Sequence, residues 1–449
     1  MNTRHFSFAF IVDNYISHFY ALSGVALRLQ QAGHRVIFYC PDKIQHVIIA
    51  AGFPCMALPI FMNGGAPSVS MSRKQCRAYF RQKAAEILTG ARLFRNTSDH
   101  DYLIMDPFML MYWPALHAAG FKGAAVSTKP LLSRDRWAPP YTSAYVPSKA
   151  FGSSWRVAVA WWRQQWNYYL GYRFPCKVSE WLKGYSHRTL TLYVAKQSGF
   201  DLKREWATRP LSYDLRFKSV PELVLHAREM DFPRKRSLRA NVAYLGPCTN
   251  LPESSTDIEL PAGNGPLIWV NLGTVAKQRK ELLQGAYVAI ADAIKLLPSF
   301  RAVIATADIQ LTAQLKSQLQ GQEHRVIVAT WIERGSVLQA ADIVVTHGGS
   351  NSVKEAIFAG KPILAIPHSA DQPGMAARLV YHKLGMMCTS PQPLTLSKMI
   401  LELTNNKEYQ KNSCAMSEIF LRYDENTTCV NILEQLVTDD LHLAQSKKI

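Results

Sequence analysis

The sequence predicts an α/β protein made of two doubly wound parallel-sheet domains, and three observations carry that expectation. The chain is 449 residues long with 48% hydrophobic residues, enough for two cores of roughly 200 residues each. Short runs rich in Val, Ile, Leu and Ala alternate with stretches of helical periodicity in both halves, the pattern of βα units. Residues 247–266 hold Pro, Gly, Ser and Asn without apolar periodicity, which reads as an interdomain linker. The boundaries are therefore 1–246, 247–266 and 267–449.

The chain opens with an apolar run, Phe6 to Val12, ending at Asp13. It lacks a small-residue cleavage pattern and reads as a first strand, not a signal peptide. Leu22, Val25, Ala26 and Leu29 then recur at helical spacing up to Gly33, and Val36 to Cys40 follows as a second strand. This βαβ opening has no G-x-G-x-x-G, which argues against an NAD or FAD enzyme. His18 stands at the helix entrance. From Met62 the chain turns polar, with a basic helix-like stretch around Arg73 to Arg81, and is expected to form a loop over a cleft. Tyr102 to Met105 is a strand that Asp106-Pro107 terminates, with Asp106 placed to cap the next helix. Leu223 to His226 and Asn241 to Gly246 are weaker strands.

Residues 151–188 are unusual. Tryptophan and tyrosine interleave with Arg and Lys and almost no acid. Core with basic edges, an acceptor-binding wall, a membrane-surface helix and a single-strand stacking platform all fit that composition. No nucleic-acid module accompanies it, so nucleic acid is the least favoured partner. The formal charge of +18, from 51 Lys and Arg against 33 Asp and Glu, implies attraction to anionic surfaces or ligands without naming one.

In the second half, Leu267 to Val270 begins a new sheet, followed by the loop Asn271-Leu272-Gly273-Thr274. Ala302 to Thr306 and Arg325 to Ala329 supply further strands, and Trp331 comes directly after the latter. Asp342 to Thr346 is a buried parallel strand. His347, Gly348, Gly349 and Ser350 break it, and a helix opens near Asn351 or Ser352. Two adjacent glycines let backbone approach a ligand, and the helix start aims free N–H groups and a positive dipole end at the same point, which suits a phosphate. After Gly360 and a strand at Ile363 to Ile366, Asp371-Gln372-Pro373 starts another helix, with Asp371 free to accept hydrogen bonds from hydroxyls. Val430, Leu433, Leu436 and Val437 share one face of a terminal helix.

Trp331, His347, Gly349, Asn351, Ser352, Glu355, Gly360, Pro362, Pro367, Asp371 and Gln372, with the run DQPGMAARL, resemble the donor-binding signature of family 1 glycosyltransferases. The wording is most similar to that of bacterial carotenoid glucosyltransferases. The resemblance implies a GT-B fold, two Rossmann-like domains facing a cleft, with a terminal helix that crosses back. It implies transfer of a sugar, glucose first, from a nucleoside diphosphate sugar, UDP first, to an acceptor hydroxyl with inversion and without a metal or other cofactor. By the same resemblance His18 is the base and Asp106 orients it. Gly273, Thr274, His347, Gly349, Asn351 and Ser352 meet the diphosphate, Trp331 stacks on the nucleobase, Glu355 reaches the ribose, and Asp371 and Gln372 read the sugar. Residues 151–188 fall in the acceptor-selecting half, so a lipophilic acceptor and an anionic membrane surface are the expected partners.

One departure is Glu333-Arg334, where many relatives carry Pro-Gln, and it leaves the nucleobase open. The eight cysteines are scattered without a C-x-x-C pair, which fits reduced thiols in a cytoplasmic protein, at most peripheral at the inner membrane face. A catalytically silent GT-B partner protein, an anion-binding protein with a vestigial fold and a nucleotide-sugar epimerase remain as alternatives.

Overall fold

The computed structural model describes residues 4–58, 71–186, 188–206, 215–249, 259–273 and 280–446. Seven strands form the first sheet: β1 (Ser7–Ile11), β2 (Arg35–Cys40), β3 (Cys55–Ala57), β4 (Tyr102–Met105), β5 (Gly123–Ser127), β6 (Glu222–Val224) and β7 (Val242–Tyr244). They run in the order β3-β2-β1-β4-β5-β6-β7, and every pairing is parallel. Six more strands form the second sheet: β8 (Leu267–Asn271), β9 (Arg301–Ala305), β10 (Val326–Ala329), β11 (Ile343–Thr346), β12 (Ile363–Ala365) and β13 (Gly385–Met387). Their order is β10-β9-β8-β11-β12-β13, again all parallel.

Both faces of each sheet are covered, which is why these strands read as continuous apolar runs. Along β1, Phe8 and Phe10 join a core with Leu22 and Val25, while Ala9 and Ile11 join Ile87 and Met105 on the opposite face. In the second sheet Ile343 and Val345 face one core and Val344 faces the other. The strand order reverses between β1 and β4 in the first sheet and between β8 and β11 in the second. Such switch points open a crevice at the carboxyl ends of the strands, and both crevices face each other here.

The basic stretch expected near Arg73 is longer than its periodicity indicated. It is a 25-residue helix, Arg73–Thr97, started by a capping box in which Ser72 and Gln75 each bond the other's backbone N–H. The polar loop expected before it falls largely at 59–70, outside the described residues.

Several contacts tie the two halves together away from the crevice. The terminal helix Thr428–Ser446 adds Cys429, Leu433 and Val437 to the first-domain core around Phe8 and Phe10. Arg28 grips Asp424 through Nε at 2.7 Å and Nη2 at 2.5 Å, a bidentate pair. Buried Asp231 accepts from Arg378 (3.0 and 2.5 Å), Arg234 (3.1 Å) and Tyr244 (2.7 Å). Burial alone would raise the Asp231 carboxyl; the two guanidinium groups outweigh it and hold the group well below the carboxylate range. Among the described residues no helix is long and apolar enough to cross a membrane.

Candidate active site

The first switch point brings together three polar side chains from two neighbouring strand ends. Asp13 follows β1, His18 sits in the first turns of the helix Ile16–Gln31, and Asp106 follows β4. His18 Nδ1 lies 2.5 Å from Asp106 Oδ2 and 3.6 Å from Asp13 Oδ1. Asp106 is buried, and its second oxygen accepts the Phe108 N–H at 2.8 Å. It is therefore both a cap and the partner of the imidazole, one oxygen for each. With the hydrogen on Nδ1 directed to Asp106, the Nε2 lone pair is left for an incoming proton. Phe108 stacks on the ring at 5.2 Å and 17°, fixing its plane.

Burial works against a charge on His18, but the bond to Asp106, its charge and that of Asp13 prevail and raise the imidazole above 6.5. Asp13 is pushed up to about 6, by burial first and then by the negative Asp106. In the sequence Asp13 reads only as the end of a strand; an ionisable residue closing a buried strand at the switch point was the available signal. The ligand atoms of Asp13, His18 and Asp106 lie within 4.8 Å of one another, so among the described residues these three are the groups placed to share a cation.

The second switch point carries His347, Gly348 and Gly349 after β11. Gly348 has φ +79°, a backbone region that suits glycine. A Cβ on Gly349 would meet His347 Nε2 at 2.4 Å, and one on Gly273 would meet His347 Cε1 at 2.7 Å. The imidazole is thus seated between two glycines that leave room for it. Burial, with the nearby His368, lowers it to about 4, so it is neutral at pH 7 and can donate one hydrogen bond without a charge. The helix Ser350–Phe358 begins directly after, with no side chain capping it, so the first-turn N–H groups lack intrahelical acceptors, and that of Ser350 bonds Asp371.

Asn351 reaches over the cleft, Nδ2 donating to the Ser17 carbonyl at 3.0 Å, one residue from His18. Ser350 Oγ lies 3.0 Å from Nε2 of His226, which belongs to the first domain. Ser352 is half-buried in the same first turn.

The helix Gln372–Tyr381 begins at the crevice wall. Asp371 precedes it without capping it; burial raises its carboxyl, while the Ser350 N–H, Lys129 and His18 pull the other way. Gln372 Oε1 accepts from the His368 and Ser369 N–H groups at 2.8 and 3.0 Å, which fixes the orientation of its amide. Glu355 pairs with Arg334 Nη2 at 3.3 Å, and the same guanidinium lies 5.8 Å from the Tyr20 ring across the cleft. Glu333 caps the helix Arg334–Ala340, accepting from Gly335 and Ser336. The unusual pair is thus one helix cap and one cleft-spanning cation. Trp331 follows β10 and is 78% exposed, an indole face open at the far end of the site. Gly273 is in place, held by its N–H to Asn271 Oδ1 at 2.8 Å; Thr274 lies outside the described residues. Lys129, also unread in the sequence, follows β5 with its Nζ 5.0 Å from the Phe108 ring.

Residues 280–426 match the glycosyltransferase family 28 C-terminal domain. Over 224 residues the chain is 28% identical to a zeaxanthin glucosyltransferase of Pantoea ananas, covering 49% of this chain and 50% of that protein. It is 34% identical over 168 residues to a zeaxanthin glucosyltransferase of Pseudescherichia vulneris, 37% of each. A UDP-glucuronosyltransferase 3A2 of Mus musculus is 23% identical over 365 residues, 78% of this chain and 64% of that protein. The chain thus spans half or less of the length of the first two curated relatives. The solved glycotransferase of kitacinnamycin superposes with a TM-score of 0.65 at 17% identity, covering 97% of this chain and all of that one. The calicheamicin glycosyltransferase gives 0.64 at 17%, covering 97% and 99%. The resemblance read from the sequence and the two-domain GT-B fold are both borne out.

Proposed function

We propose that this chain, a GT-B protein whose second half carries a glycosyltransferase domain, is an inverting transferase that moves a hexose from a nucleoside diphosphate sugar to a hydroxyl of a lipophilic acceptor. The observation that carries the reading is the meeting of two switch-point sites in one cleft. An Asp-oriented imidazole stands on one wall and an anion-accepting helix start on the other, and the Asn351 to Ser17 contact joins them.

The chemistry follows from that geometry. A diphosphate is a good leaving group, so the enzyme must supply a base and a place for the departing charge. His18 Nε2 takes the acceptor hydroxyl proton while the oxygen attacks the anomeric carbon from the face opposite the diphosphate. The carbon–oxygen bond to the diphosphate breaks and its electron pair leaves with the phosphate. Asp106 holds the tautomer and stabilises the imidazolium that forms. His347, Gly273, Gly349, Asn351, Ser352 and the first N–H groups of Ser350–Phe358 receive the new negative charge, with Thr274 assigned there by resemblance. Asp371 and the amide of Gln372 bind sugar hydroxyls, and Trp331 stacks on the base. Glu355 takes the ribose, which requires Arg334 to swing aside or to join the contact. With the charge met in this way, no metal is required by the scheme.

UDP-glucose is the first donor to test, since relatives are named as glucosyl and UDP-glucuronosyl transferases; a neighbour solved with dTDP makes that nucleotide the second. The test is nucleoside diphosphate release from a panel of nucleotide sugars, with and without membrane lipid extract, beside His18→Ala. Release that needs extract and vanishes in the variant supports the reading. Turnover of a donor without acceptor would favour an epimerase, and donor binding without turnover under any condition would favour a partner protein.

A further inference from the structure

Between Ser153 and Lys183 the chain forms one unbroken helical rod, two α-helical stretches joined by a π turn at Tyr169–Arg173. At 1.5 Å per residue it is roughly 45 Å long. Its inner side is buried through Val157, Trp161, Gln164 and Tyr168. Its outer side presents Trp155 (70% exposed), Trp162 (57%), Trp166 (44%), Leu170 (58%), Phe174 (50%) and Trp181 (72%). Their spacing of four or seven keeps them on one face. Trp162, Trp166, Tyr169 and Phe174 form a chain of ring contacts 5.9 to 6.4 Å apart. Contiguous exposed aromatic surface of this kind marks an interaction site.

Charge selects the occupant. Arg156, Arg163, Arg173, Lys177 and Lys183 are exposed on the same rod, and its lone acid, Glu180, accepts the Ser186 hydroxyl at 2.5 Å. Protein interfaces exclude lysine from their centres, whereas Trp and Tyr beside Arg and Lys match the headgroup layer of a bilayer. We infer that the outer face of 153–183 docks in the plane of an anionic lipid bilayer, with the rings among the headgroups and acyl ends and the basic side chains on lipid phosphates.

The rod is also fastened to the cleft. Trp161 Nε1 donates to the Ala138 carbonyl at 2.9 Å, and Thr142 Oγ1 donates to Gln164 at 2.9 Å. The loop between them touches the donor-side helix: the Tyr141 carbonyl sits 2.0 Å from where a Cβ on Gly374 would be. Docking therefore places the cleft rim at the bilayer surface. If the transferase reading holds, a lipophilic acceptor reaches His18 from the membrane side.

The test is flotation of the full chain with vesicles of phosphatidylcholine alone or mixed with phosphatidylglycerol, without nucleotide sugar. Two variants accompany it, Trp162→Ser/Trp166→Ser/Trp181→Ser and Arg163→Glu/Lys177→Glu; all five positions are exposed, and unchanged thermal melts verify the fold. The wild type is expected to bind anionic vesicles at least tenfold better than neutral ones. Charge reversal changes two charge units per residue and should weaken that by roughly thirtyfold per residue, and the serine variant should abolish recovery with vesicles. Failure of the wild type to float, or anionic binding that neither variant reduces, overturns the inference. So does a dimer in sedimentation that the serine variant converts to monomer without any vesicle binding. Because no donor is present, vesicle binding and sugar transfer fail or stand separately.

Discussion

Replacing Asp106 by Asn separates orientation of the base from mere occupancy of the site. The carboxylate makes two bonds, Oδ2 to His18 Nδ1 at 2.5 Å and Oδ1 to the Phe108 N–H at 2.8 Å. Asparagine keeps an oxygen to accept the Phe108 N–H, so the cap and the local fold survive. Its amide nitrogen then faces Nδ1 as a donor, which favours the tautomer with hydrogen on Nε2. That points a donor, not a base, at the acceptor. General base catalysis contributes about 10²- to 10⁴-fold, so kcat should fall by that much with the donor Kd unchanged. The pH profile should move as well. Asp106 and Asp13 raise His18 above 6.5, and the base must be neutral to act, so the wild-type acid limb lies above that value. In Asp106→Asn the limb moves to lower pH. The assay is nucleoside diphosphate release across pH, with donor affinity by calorimetry. A kcat within about threefold of wild type on an unshifted profile would refute the assignment of His18 and Asp106 as a unit.

Other perturbations probe the remaining parts. Trp331→Ala should leave the thermal melt unchanged, because the indole is 78% exposed, while calorimetry shows donor affinity weaker by about 1–3 kcal/mol from lost base stacking. Gly349→Ala places a Cβ 2.4 Å from His347 Nε2, and donor Kd should rise at least about tenfold, 1.4 kcal/mol, with the acceptor KM little affected. Asp231→Ala leaves Arg378 and Arg234 without their buried acid and should cost about 3–5 kcal/mol, seen as earlier thermal unfolding. The Asp231 carboxyl is depressed, so its contribution is complete above the ordinary carboxylate range and fades as pH falls through the lower folded value. Asp13 has the opposite sign: raised from 3.8 to about 6, it holds an extra proton in the folded state between those values. Stability therefore declines as pH rises through that window, and denaturant melts of Asp13→Asn should lose that slope.

Long apolar strands were legible in the sequence because burial on both faces writes itself as a continuous apolar run, and the donor-side loop because glycines and polar residues interrupt one. β1, β4 and β11 are of this kind. β3, β5 and β13 were not legible: Cys55–Ala57, Gly123–Ser127 and Gly385–Met387 are short, small or sulfur-bearing segments whose strand state comes from their neighbours. The same limit applied to the site. A glycine pair and a helix start announce an anion site locally, so His347, Gly349 and Asn351 could be read from order alone. Whether Asp106 caps or orients needed the 88-residue contact with His18, and it does both. Arg334 and Lys129 also act across the cleft, on Tyr20 and Asp371 respectively, where no sequence spacing connects them. The ring-rich stretch at 151–188 shows the converse case: composition left four readings open, and only the exposure of one face of the rod separates buried rings from presented ones.

The most direct measurement is a paired one on the wild type and His18→Ala: calorimetric binding of the donor nucleotide sugar, and initial rates of nucleoside diphosphate release with acceptor present. The account predicts equal donor affinity in both and a rate in the variant at least about 10²-fold lower. Equal rates, or a variant that loses donor binding together with turnover, would contradict a cleft in which one wall holds the donor and His18 on the other takes the proton.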